Sequence, residues 1–155
     1  TGELCLIFDR GQIKTRGQFV ELKREALVAV AAIDSPLAQC EQVSYEQILQ
    51  SRQIAIASRD RTLKPELLFS KKYWRTDNKH SACAMIMQGL GWGILPVEML
   101  NQNPHIKQKL KILKFLDFSP KFEYFVDLVW SRESQLGAAA CFLIQHIRNS
   151  RKNVK

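Results

Sequence analysis

Several patterns that carry chemistry are missing from this chain, and each absence narrows what it does. There is no G-x-S-x-G nucleophile elbow and no phosphate-cradling G-x-x-x-x-G-K-[ST]. No G-x-G-x-x-G lies between a strand and a following helix. Gly89-Leu90-Gly91-Trp92-Gly93 comes nearest, but it follows a helical run and precedes an apolar strand, which is the reverse order. Histidine is scarce: His80, His105 and His146 are all there are. His80 and Ser81 are neighbours that a helix would point in different directions, so they make no nucleophile–base pair. No residue is assigned a catalytic role, and the chain is expected not to be an enzyme.

Cysteine is sparse and unpaired in pattern. Cys5, Cys40, Cys83 and Cys141 include no C-x-x-C, and no histidine sits at ligand spacing from any of them. No metal and no cofactor are expected. Cys5, Cys83 and Cys141 lie in apolar runs and read as buried thiols of a reducing compartment. No apolar run is long enough to span a bilayer. The first residues lack the basic start and apolar stretch of a signal peptide. The expectation is a cytoplasmic protein with no membrane partner.

Acid is the charge in short supply: 15 Asp and Glu against 23 Lys and Arg leave a net +8. Much of the excess sits at Lys107, Lys109, Lys111 and Lys114, and in the tail at Arg148, Arg151, Lys152 and Lys155. No aromatic residues interleave with either group, as a single-strand binder would require. The first group reads as a solvated surface and the second as a frayed C-terminus.

What is present is an alternation of strands and helices. The 155 residues suffice for one domain or two small lobes, and the 46% apolar content is ordinary. Residues 4–8 (LCLIF) form an apolar run ending at Asp9, Arg10 and Gly11. Residues 19–22 form a short strand, 23–25 a turn, and 26–32 a second buried strand, broken by Asp34-Ser35-Pro36. Ser44 and Gln47 form a capping box for a helix over 45–50. QIAIA (53–57) is another buried strand, and it ends at Ser58, Arg59 and Asp60. Pro65 opens a short helix through Phe69.

The chain is organised around residues 73–98, YWRTDNKHSACAMIMQGLGWGILPVE. A β-favouring run at 73–76 precedes the N-cap residues Asp77 and Asn78. A helical run at 81–88 is stopped by Gly89 and Gly91. A buried strand at 92–95 leads to Pro96 and a helix over 97–101 that Asn103-Pro104 ends. One short strand is expected near Ile112. Residues 123–130 alternate, with Tyr124, Val126, Leu128 and Trp130 on one face. Residues 131–134 start a last helix that 137 to about 150 carries on, with Leu136, Ala140, Leu143, Ile144 and Ile147 as a packing stripe. The pattern predicts an α/β fold with a largely parallel sheet.

WR-x-DN followed by GLGWG-x-LP resembles the effector-binding domain of LysR-type transcriptional regulators. Three flanking pieces match in order: ALVAVAAIDSPLA (26–38), SYEQILQSRQIAIAS (44–58) and LVWSRESQLGAAACFLI (128–144). The resemblance runs from Gly2 to about Arg148. It implies a type 2 periplasmic-binding-protein-like fold of two lobes joined by crossing strands, here 26–32 and 124–130. Residues 33–122 would be a complete lobe II. Residues 1–32 with 123–155 would be a partial lobe I, in a fragment that lacks the winged helix-turn-helix and the first part of that lobe.

The resemblance further implies a small effector, anions among the candidates, held in the cleft between lobes. Asp9, Arg10, Ser58, Arg59, Asp77, Asn78, Gly91 and Trp92 are the candidate contacts. Polar strand ends and helix starts are where open α/β sheets bind ligands, and helix N-termini favour carboxylates. From the residues alone, Asp9 and Arg10 also read as a charged turn, Asp77 as a plain cap and Trp92 as core packing. The implied partners are a homodimer or higher homo-oligomer, and DNA only through the absent N-terminal domain. A periplasmic-type solute-binding protein of the same fold is the alternative.

Overall fold

The computed structural model describes residues 5–7, 17–57, 63–118, 120, 122–131 and 135–152. The chain divides into two compact units: Thr1–Glu25 with Glu123–Lys155, and Ala26–Phe122.

The second unit is built on strands β2 (Gly17–Ala32, its latter half), β3 (Gln53–Ile56), β4 (Tyr73–Thr76) and β5 (Trp92–Pro96). Their order is β2-β5-β3-β4, and β6 (Leu110–Ile112) also pairs with β2. β3 runs parallel to both β4 and β5, whereas β2 is antiparallel to β5 and β6. The sheet is therefore mixed, not largely parallel. β2 is the returning strand of the unit, so its neighbours run against it.

Burial is nearly continuous along β3, β5 and residues 29–32 because both faces are covered, and successive side chains join opposite clusters. Ala29 and Ala31 of β2, with Trp92 and Ile94 of β5, join one cluster; Val30 and Leu95 join the other. The second cluster includes Ala82, Cys83 and Ile86 of α3 (Lys79–Met87), with Met99 and Leu100 of α4 (Val97–Gln102). Ile54, Ile86 and Leu95 are essentially inaccessible. Each such side chain contributes about 1.5–3 kcal/mol on burial.

Helix starts follow the polar residues in the sequence. Ser35 caps the single-turn α1 (Pro36–Gln39). Ser44 and Gln47 make the expected reciprocal capping box of α2 (Tyr45–Gln50), with Gln47 N donating to Ser44 Oγ and Ser44 N to Gln47 Oε1. Pro65 opens a 3-10 turn that ends at Leu67, short of Phe69. α3 starts at Lys79, two residues earlier than expected, because Asn78 caps it directly. Gly89 (φ 77°) closes it: Gly89 N donates to Ile86 O and Leu90 N to Met85 O. Asn103 ends α4 as expected, but it also caps a further helix, α5 (Pro104–Lys109), which the sequence reading missed. Pro104 was read there as a stop, yet proline suits a first helical turn equally well.

One side chain organises the irregular stretch before β4. Gln53, buried, donates from Nε2 to Leu67 O and accepts from Phe69 N and Ser70 N. Ser70 Oγ donates to Ile48 O and accepts from the Trp92 indole N–H. Three backbone groups of 67–70 are thus satisfied by one side chain, without a strand partner.

In the first unit, β1 (Cys5–Ile7) pairs antiparallel with β7 (Phe122–Ser131), which neighbours β2. β2 is a single strand of 16 residues, so residues 23–25 form no turn. The Lys-Arg-Glu triplet was read as a break, but Glu21 and Glu25 carry ion-pair contacts with Arg24 and Lys23 along the strand. Leu128 and Trp130 of β7 pack with Ile144 and Ile147 of α6 (Ala138–Lys152), and with Val20, Leu22 and Leu136. Asp127 and Val129 are buried as well, so this end of β7 is covered on both faces, not one. In the α6 stripe, Leu143 turns out 43% exposed. Cys141 is exposed too, against its reading as a buried thiol, while Cys83 is buried as expected.

The basic groups are less idle than their composition suggested. Lys111 Nζ donates to Ala38 O and Cys40 O, stitching β6 to the end of α1. Arg148 lies 5.8 Å from the Trp130 ring centroid and Arg151 pairs with Glu21. The helix is formed through Lys152, so residues 148–152 are not frayed.

Candidate functional site

The polar end of the second unit is made where β3 and β4 finish and α3 begins. Ala57 N donates to Thr76 O at 2.7 Å, holding the two strand ends together. The backbone then turns through Asp77 to Asn78. Asn78 N donates to the Thr76 hydroxyl oxygen at 3.4 Å. Asn78 Oδ1 accepts from His80 N at 2.7 Å and from Ser81 N at 3.3 Å, and Ala82 N donates to Asn78 O. The first-turn amides of α3 at His80 and Ser81 are therefore occupied by the cap. An asparagine in extended conformation reaches two amides with one oxygen, which is why it caps so effectively.

Asp77, Asn78, His80 and Ser81 are all exposed. The aligned peptides of the nine-residue helix place about half a positive charge at this end. Thr76 completes the turn and was not singled out from sequence. Its signal is a threonine two residues ahead of the cap, a local side-chain-to-backbone pattern.

Gly91 and Trp92 lie elsewhere in the same unit. They stand at the amino end of β5, beside Gln53 and Arg52, whereas Asp77 and Asn78 follow the carboxyl end of the parallel β4. A strand of this length separates the two ends by roughly 10 Å. Trp92 is 1% exposed, packs near Phe69 and donates its indole N–H to Ser70. A Cβ on Gly91 would meet Arg52 O at 2.5 Å, so this glycine is where two backbones approach. Asp9, Arg10, Ser58 and Arg59 lie outside the described residues. Among the described residues, no three His, Cys, Asp or Glu side chains are grouped to hold a metal. No helix among them is long and apolar enough to cross a membrane.

A family model described as the LysR substrate binding domain matches residues 2–152. The HTH-type transcriptional regulator AceR of Acinetobacter baumannii is 64% identical over 151 residues, covering 97% of this chain and 51% of the relative. The chain thus spans about half the length of that relative. Among solved structures, the C-terminal domain of a probable LysR family transcriptional regulator from Rhodococcus sp. RHA1 superposes with a TM-score of 0.71 at 18% identity. That match covers 94% of this chain and 74% of the other. The Synechocystis CcmR regulatory domain, in complex with 2-PG, gives 0.68 at 14% identity over 97% and 74%. The effector binding domain of QuiR, in complex with shikimate, gives 0.63 at 17% over 97% and 72%. At these identities the structures speak to fold alone, a periplasmic-binding-protein-like α/β architecture of type 2. The family match over nearly the whole chain, joined to the 64% identity, carries the assignment: the chain belongs to the LysR substrate-binding domain family.

Proposed function

We infer that this chain is the effector-sensing part of a LysR-type DNA-binding transcription regulator. The observation that carries this reading is the family match over residues 2–152 together with the 64% identity to a relative named as a transcriptional regulator. The effector is a small molecule bound in the cleft between lobes, and two neighbours of the same fold hold small molecules, 2-PG and shikimate. An anion suits the start of α3, where the helix dipole is positive and the exposed Asn78 cap holds the His80 and Ser81 amides. Asp77 and Asn78 are the described residues assigned to this contact, and Asp9, Arg10, Ser58 and Arg59 would complete it. Gly91 and Trp92 act behind it, by packing.

Mechanism follows from linkage. A ligand that binds one arrangement of the lobes better shifts the population toward it, and the shift is passed to DNA-binding domains in the parent protein. DNA recognition belongs to that N-terminal portion, in a cytoplasmic homodimer or higher homo-oligomer. The solute-binding alternative has no relative in its favour here, whereas the regulator reading has one. No enzymatic step is proposed.

The test is a thermal-shift screen of small carboxylates against wild type and Asn78→Asp. Aspartate caps a helix as well as asparagine does, so the unliganded melting temperature should hold. Its negative charge repels an anion, so the ligand-induced shift should vanish. A shift that survives intact in Asn78→Asp places the anion elsewhere. Turnover of any screened compound would sink the sensing reading.

A further inference from the structure

We draw no further inference here: the strongest candidate, the exposed apolar face of α6 that carries Phe142 (73% exposed) and Leu143 (43% exposed), has nothing in the structure to show what covers it.

Discussion

The Trp92 indole N–H donates to Ser70 Oγ at 2.9 Å, with both residues buried. Ser70 passes the bond on, since its hydroxyl donates to Ile48 O at 2.7 Å. This relay joins β5 to α2 through a residue that belongs to neither. Ser70→Ala would leave an indole donor and a carbonyl acceptor unsatisfied together. A loss of about 1–3 kcal/mol is expected, read as a lower urea midpoint by tryptophan fluorescence. An unchanged midpoint would mean that water replaces the hydroxyl.

Gly91 and Gly93 should differ in tolerance. A methyl group on Gly91 meets Arg52 O, which is backbone, at 2.5 Å; on Gly93 it meets first the Ile86 side-chain tip at 2.6 Å. A side chain can rotate and a strand cannot. Gly91→Ala should therefore cost more than Gly93→Ala, with losses of about 1–3 kcal/mol in this class of overpacking. Melting temperatures of the two variants, measured side by side, decide the order.

The thiols should react in an order set by exposure. Cys141 is exposed and Cys83 buried. Burial also raises the Cys83 thiol above its ordinary value by desolvating the thiolate. Alkylation followed by peptide mapping should modify Cys141 at least about tenfold faster than Cys83 at neutral pH. The stability linked to Cys83 has a definite sign. The folded state holds this proton more tightly than the unfolded one. Its contribution is complete below the ordinary thiol value, then declines as pH rises toward the raised folded value. Cys83→Ala should flatten that alkaline decline.

On α6, two apolar residues two positions apart should behave oppositely. Ile144 is 5% exposed within the Leu128–Trp130 cluster, whereas Phe142 is 73% exposed. Ile144→Ala should cost about 2–5 kcal/mol and Phe142→Ala within about 0.5. Comparable losses from both would mean that Phe142 is covered in solution.

Legibility followed the range of the interaction. The capping box at Ser44 and Gln47, the Asn78 cap and the Gly89 stop are each settled within a few residues, and sequence spacing revealed them. The antiparallel placement of β2 was not legible, because strand direction is decided by partners far along the chain. Residues 23–25 looked like a turn since charge usually ends a strand, but flanking ion pairs let β2 continue. Lys111 looked solvated because nothing nearby in sequence foretells the Ala38 and Cys40 carbonyls that it meets. At the candidate site, Asp77 and Asn78 were visible as a helix start. The separation of Trp92 from them was not, since it depends on β4 and β5 running the same way with Trp92 at the opposite end.

Gln53 carries a consequence for how this fold drifts over time. It holds the stretch at 67–70 through Leu67 O, Phe69 N and Ser70 N, all of them backbone groups. Every amino acid except proline supplies the same donors and acceptors. The stretch is thus held by address and not by content. Its path depends on one glutamine, while the Phe69 ring and the Ser70 hydroxyl are tied to their types separately, through Trp92.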